Sequence, residues 1–290
     1  MTTRIGLIAL DRHEPVNCSC LSETAVIRFV IHIVTRLDPW MSRTEARRIR
    51  QRSEELLGEL EADADYARLP SLLPEAFRAV LGGLIDPGLA FYAAPAEGRI
   101  RGAVIALHGH GGNPKLWLHG WRSWAASQHC LVLCPCFGYG NWEHRKSNVC
   151  ISRWRDLLRQ YDSLEWVLLA GISQGGCGVS RGGAAYAEQF DGLIFLSPTL
   201  EPEIITSEQF IRGWRHRPVF VCYGGRDHNV SANRVATAIA LMKANGVEMT
   251  EFYDPAADHF LFFDQTEEIL EALAAWRHCR VKLPRNPVDG

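Results

Sequence analysis

Residues 166 to 176 read Trp-Val-Leu-Leu-Ala-Gly-Ile-Ser-Gln-Gly-Gly, an apolar run that ends in Ser173 flanked by Gly171 and Gly175. This is the pattern of a nucleophile elbow, in which a strand turns sharply into a helix and leaves a serine exposed at the bend. Such a turn forces a strained backbone on the serine, so its neighbours must be small to avoid a clash. Gly171, Gly175 and Gly176 satisfy that requirement. A lone Gly-x-Ser-x-Gly also arises by chance, so the surroundings carry weight. Val167 to Ala170 suits a buried strand, and Ala184 to Phe190 suits the body of the following helix, with Gly182-Gly183 an awkward interruption.

A serine hydroxyl is a weak nucleophile until a base takes its proton and donors hold the oxyanion that forms. Candidates stand elsewhere in the chain. Ala103 to Leu107 is a second apolar run, ending in His108-Gly109-His110-Gly111-Gly112-Asn113, and Asn113-Pro114 is an N-cap followed by a first helical residue. Pro218 to Tyr223 runs into Gly224-Gly225-Arg226-Asp227, and Val247 to Tyr253 is followed by Asp258-His259-Phe260. Serine, aspartate and histidine thus occur in the chain order of α/β-hydrolases rather than of the other serine-triad folds.

The four motifs together, from His108 to His259, make the chain resemble the α/β-hydrolase superfamily, nearest its carboxylesterase and phospholipase-like or dienelactone hydrolase-like branches. The likeness runs over roughly residues 88 to 280. It implies a triad of Ser173, Asp227 and His259, with backbone N–H groups of Gln174 and of the His110-Gly111 stretch as the oxyanion hole. Asp254 and Asp258 are rival carboxylates and His228 a rival base. Asp227 and His259 are preferred because each follows its own strand. His108 is expected to be structural.

Alternation of apolar runs with helical patterns predicts an α/β fold, with a mostly parallel sheet of about seven or eight strands flanked by helices. The runs are Leu89 to Ala93, Ala103 to Leu107, Leu131 to Cys134, Val167 to Ala170, Leu193 to Leu196, Val219 to Tyr223 and Val247 to Tyr253. No large cap domain fits between Leu196 and Val219. The expected organisation is an N-terminal, mainly helical extension over 1–85, a catalytic domain over 86–283 and a flexible tail over 284–290. Within the extension, Ser42-Arg43-Thr44-Glu45 is a capping box before a helix from Ala46 to Leu60, and a short helix is expected from about Pro74 to Leu81. Ala25 to Val34 is rich in β-branched residues, as a strand is, yet Arg28, His32 and Arg36 make one polar stripe on a helix. The extension could serve as packing, as a dimerisation arm giving a homodimer, or as a lid.

The net charge of -2 gives no reason to expect nucleic acid or an acidic membrane as partner. No run is long enough to span a bilayer, and Ile5 to Leu10 is too short for a signal peptide core. Nine cysteines, an odd number, point to a reducing compartment and so to the cytoplasm. Cys18/Cys20 and Cys134/Cys136 lack zinc-site spacing, no metal or cofactor is expected, and Cys177 reads as helix packing. Trp117, Trp121 and Trp124, at helical spacing, read the same way.

The substrate is expected to be a small acylated molecule. Tyr139, Trp142 and Arg145, in the loop after the Leu131 strand, are the pocket-wall candidates, although that loop also reads as a solvated one anchored by its tryptophan. Ester or thioester hydrolysis through an acyl-enzyme on Ser173 is the leading function. Alternatives are acyl transfer or cyclisation, peptidase-type amide cleavage by the same triad, a non-catalytic binding protein, and a metal-dependent hydrolase built on His108-x-His110.

Overall fold

A computed structural model describes residues 2–10, 22–37, 42–74, 83, 85–111 and 113–281. Its centre is an eight-stranded sheet of order β1-β2-β4-β3-β5-β6-β7-β8. The strands are β1 (Thr3–Ala9), β2 (Leu89–Pro95), β3 (Gly102–Leu107), β4 (Cys130–Pro135), β5 (Trp166–Ile172), β6 (Gly192–Leu196), β7 (Pro218–Gly224) and β8 (Glu248–Asp254). β1 and β2 pair antiparallel, as do β2 and β4, while every pair from β4 through β3 to β8 is parallel. β3, β5, β6 and β7 are buried along their whole length, which is why they read as unbroken apolar runs.

Seven strands match the sequence expectation, and β1 is the addition. Residues 3 to 9 pair in register with 89 to 95 and so bring the start of the chain into the sheet. The helix expected from Pro74 to Leu81 lies largely outside the described residues, as do Cys18 and Cys20. Ala25 to Val34 belongs to a helix, Glu23–Leu37. Its polar stripe decides the matter, because Arg28 bonds Glu54 and Glu61 on the next helix, Arg43–Ala62. That second helix is capped as expected, with Ser42 Oγ accepting from the Glu45 N–H at 3.1 Å.

Two cores lie on the two faces of the sheet. One joins Trp142, Trp154, Val179 and Trp214 to β3, β5 and β6. The other joins Trp117, Trp121, Phe262 and Trp276 to Leu57, Leu60 and Tyr66 of the N-terminal helices. Fully burying each such side chain stabilises the fold by roughly 1.5–3 kcal/mol, so the N-terminal helices are integral to this face. The three tryptophans of helix Pro114–Ser127 are core residues, as expected, and Trp117 meets Phe262 at a centroid distance of 4.8 Å. No helix among the described residues is long and apolar enough to cross a membrane.

Candidate active site

Four motifs stand at the carboxyl ends of parallel strands: His108 after β3, Ser173 after β5, Asp227 after β7 and His259 after β8. β5 and β7 are two strand spacings apart, about 10 Å, with β6 between them. A histidine that serves Ser173 while resting on Asp227 must therefore lean back across the end of β6.

Ser173 has φ +52, in the left-handed region that costs an L-residue roughly 1–2 kcal/mol. Bonds on both sides hold it there. Its N–H donates to the Leu196 carbonyl at 3.0 Å, and its carbonyl accepts from Gly176 N and Thr199 N, each at 2.8 Å. Side chains at the flanking glycines would collide with backbone: a Cβ on Gly171 with the Gly175 carbonyl, on Gly175 with the Leu107 carbonyl, on Gly176 with the Thr199 carbonyl. The helix after the elbow runs Gly175–Ala185, earlier than the expected Ala184 to Phe190, where only the helix end and a short 3-10 turn are found. Close packing explains the shift. A Cβ on Gly182 would strike Ile151, and one on Gly183 would strike Leu193, so glycines weak in helix propensity are kept where neighbouring elements press in.

Asp227 is buried, and its carboxylate is fully committed. Oδ1 accepts from the N–H groups of Asn229 and Val230, both at 2.8 Å, while Oδ2 lies 2.7 Å from His259 Nδ1. The rival carboxylates face elsewhere: Asp254 bonds Gln265 Nε2 at 2.5 Å, and Asp258 pairs with Arg48 at 2.5 Å. His228 is an exposed rim residue. Ser173 Oγ makes no hydrogen bond to a described residue, and Gly109 lies against it, where a Cβ would sit 3.1 Å from Ser173 Cβ. Catalytic contacts are often loose until substrate is bound.

The candidate oxyanion donors divide. Gly111 N–H donates to the Tyr139 carbonyl at 2.7 Å and is spent, so the expectation narrows to His110. The backbone N–H groups of His110 and Gln174 have no partner among the described residues. Gln174 is held by its side chain, whose Nε2 donates to Glu143 Oε2 at 2.7 Å. Partial burial raises the Glu143 carboxyl pKa, but the bonds from Gln174 and others outweigh this and keep it below its ordinary value.

His108 is the buttress of this loop. The neutral ring with its proton on Nδ1 satisfies both nitrogens: Nδ1 donates to the Gly109 carbonyl at 2.9 Å, and Nε2 accepts from Phe137 N–H at 3.3 Å. With both nitrogens engaged, a metal pair with His110 loses its first ligand, and no group of three metal-binding side chains occurs among the described residues. Burial pushes the His108 pKa down from 6.5 to about 4. Between those values the unfolded chain holds a proton that the folded chain refuses, so stability falls as pH drops through the window. The loss should reach about 3 kcal/mol between pH 7 and pH 4. Urea unfolding at both pH values should show His108→Gln losing less than the wild type by that amount; equal losses would mean the ring titrates freely.

Trp142 requires a correction. Far from lining a pocket, it is fully buried, stacks on Phe137 at 4.5 Å and donates its indole N–H to the His108 carbonyl at 2.8 Å. A partly apolar loop beside a closed core buries its largest ring first. Tyr139 is partly exposed and lines a cleft of about 330 Å³ with Ile85, Asn141 and Glu143. Arg145 is exposed and lines neither described cleft. Sequence reading missed Gly140, at φ +87, where a Cβ would strike the Gly109 carbonyl. It also missed the Gln174 to Glu143 bond. The Gly138-Tyr139-Gly140 spacing is the signal that could have shown a loop packed against other backbone.

A second cleft, of about 460 Å³, lies beside residues that bond Ser173 and Asp227. Its wall includes Thr199, bonded to the Ser173 carbonyl, and Val230, bonded to Asp227, with Pro198, Leu200, Arg234 and Leu241. Cys177 is inert packing, its thiol pushed up to about 12 by burial and nearby carboxylates.

No protein-family model matches the sequence, and no curated protein matches it significantly. Solved structures do match the fold. Acyl-protein thioesterase 2 of Zea mays is 16% identical, with a TM-score of 0.53, over 64% of this chain and 98% of its own. Est1E of Butyrivibrio proteoclasticus is 16% identical, with a TM-score of 0.53, over 66% and 94%. The Pyrococcus furiosus esterase Pf2001 is 13% identical, with a TM-score of 0.53, over 67% and 88%. The chain has the α/β-hydrolase fold. Each of these solved chains is covered nearly end to end, whereas about a third of this chain lies outside each match.

Proposed function

We propose that this chain is a serine hydrolase that cleaves a carboxylic ester or thioester through an acyl-enzyme on Ser173. The observation that carries the reading is the pairing of Ser173 at φ +52 in a glycine-lined elbow with an Asp227–His259 contact of 2.7 Å two strands away. In this reading Ser173 Oγ attacks the acyl carbon, and His259 Nε2 takes the proton and returns it to the leaving group. Asp227 holds the ring with its proton on Nδ1 and stabilises the imidazolium. The N–H groups of His110 and Gln174 hold the oxyanion. Water then repeats the sequence on the acyl-enzyme.

Substrate size is inferred from the cleft of about 460 Å³, whose wall includes Thr199 bonded to the Ser173 carbonyl, and the cleft of about 330 Å³, whose wall includes Glu143 bonded to Gln174; each suits a group of small to medium length. Neighbours described as esterases and a thioesterase support this chemistry, and one described as an acylaminoacyl peptidase keeps amide cleavage by the same residues as the alternative. Intact-mass measurement after exposure to a fluorophosphonate tests it. A single adduct is expected on the wild type and none on Ser173→Ala. An unmodified wild type that is folded, or an adduct that survives the substitution, would overturn the reading.

A further inference from the structure

The helices Glu23–Leu37 and Arg43–Ala62 touch the site from two directions. Glu23, in the first turn of the first helix, accepts from Asn113 Nδ2 at 2.6 Å and from Lys115 Nζ at 2.6 Å. Asn113 is the N-cap of the helix that follows the His108 to Gly111 loop, and the Glu23–Lys115 pair is close to nine-tenths buried on both sides. On the second helix, Arg48 Nε lies 2.5 Å from Asp258 Oδ2, and Asp258 immediately precedes His259. The other oxygen of Asp258 accepts from Phe260 N–H at 2.9 Å, so this carboxylate straddles the histidine in the chain. Arg48 and Arg52 also bind Asp264, at 3.0 and 2.8 Å, and Arg52 donates to the Phe263 carbonyl at 2.7 Å. The two helices are locked to each other by Arg28, which bonds Glu54 at 2.7 Å and both oxygens of Glu61 at 2.7 and 2.9 Å. Those bonds hold the Glu61 carboxyl down to about 2. Three sets of polar contacts, joined by the bodies of the two helices, therefore connect the N-cap behind the oxyanion loop to the residue before His259.

We propose that Arg48 and Glu23 are positioning residues, through which the N-terminal helix pair sets the His259 loop and the oxyanion loop relative to one another. The proposal rests on the serine-hydrolase reading of Ser173. Magnitudes separate it from a purely structural role. Arg48 is more than half-exposed and its partners Asp258 and Asp264 are 22% and 29% exposed, and ion pairs open to solvent on one side contribute about 0–1 kcal/mol to stability, too little for the fold to depend on them. Displacing a catalytic group by about 1 Å, in contrast, can slow a reaction as much as 10²-fold. The His259 ring rests on Asp227, and removing Arg48 leaves its loop the Arg226 N–H bond to the Ala257 carbonyl at 2.9 Å but takes away the ion pair that ties Asp258, the residue before the histidine, to the N-terminal helices.

The test uses the full chain and two readouts, the rate of fluorophosphonate labelling and the kcat and KM for a p-nitrophenyl ester. Arg48→Ala should label at least about tenfold more slowly than wild type, with kcat reduced in proportion and KM within about twofold. Arg48→Lys, which keeps the charge, should recover most of the rate. Glu23→Gln should slow labelling as well. Arg159→Ala, which removes an arginine as exposed as Arg48 and its ion pair with Asp156, should change nothing. The thermal midpoint of Arg48→Ala should stay within a few degrees of wild type. Labelling of folded Arg48→Ala at the wild-type rate would overturn the proposal while leaving the serine reading intact. An unlabelled wild type would overturn both.

Discussion

Ser173→Ala is expected to lower kcat for ester hydrolysis by about 10⁶-fold while leaving the protein as stable as the wild type. The rate argument is that one atom supplies the covalent step, and the remaining oxyanion donors retain only about 10³–10⁴ over water. The stability argument comes from the bend. Ser173 is fixed by its backbone, through Leu196, Gly176 and Thr199, and its Oγ bonds no described residue, so deleting that oxygen leaves no buried group unpaired. Alanine also inherits the strain of φ +52 in full. Ser173→Gly should be equally inactive yet more stable by about 1 kcal/mol, because glycine enters this region without a Cβ penalty. Matched kinetics and urea unfolding of the two variants check both halves. Residual ester turnover within a hundredfold of wild type in either variant would mean that another group attacks.

How much of this was legible in the sequence depended on how local each determinant is. The elbow and the Asp227 turn were readable because each is a short motif at the end of a buried run, and buried parallel strands declare themselves as continuous apolar residues. His259 follows β8, an edge strand with no buried residue, and was picked out by its place in the chain order after serine and aspartate. β1 was not, because Thr3 to Ala9 is an edge strand whose partner lies some eighty residues away at Leu89 to Pro95, and no local pattern reports such pairing. The helix Glu23–Leu37 stayed ambiguous for a related reason. Its β-branched residues lower helix propensity, and what settles it is tertiary, the bonds from Arg28 to Glu54 and Glu61. Trp142 failed as a pocket residue since a tryptophan in a loop can face either the cleft or the core, and periodicity is silent in a loop. The same limit hid Arg48 and Arg52, which read as ordinary polar residues of an amphipathic helix until Asp258 and Asp264 come to meet them.

Asp227→Asn is the second large effect, expected to lower kcat by about 10⁴-fold, and the hydrogen bonds around Asp227 say why. Oδ1 accepts two backbone N–H groups, those of Asn229 and Val230. An asparagine at 227 has one oxygen and one NH₂, and only its oxygen can meet those two donors without placing donor against donor. Its NH₂ is then forced to face His259 Nδ1. A ring that accepts there must carry its proton on Nε2, the nitrogen that should receive the proton of Ser173, so the base is present in the wrong tautomer. Because the two backbone bonds survive, the variant should fold, and its thermal midpoint should stay within a few degrees of wild type. Asp227→Ala makes the complementary case: it removes the acceptor for Asn229 and Val230 as well, and should cost stability of about 1–3 kcal/mol in addition to activity. Steady-state ester kinetics with parallel melting curves decide the matter. A fall of less than tenfold in Asp227→Asn would mean that a different carboxylate orients His259, and Asp254 and Asp258 would first have to leave Gln265 and Arg48 to do so.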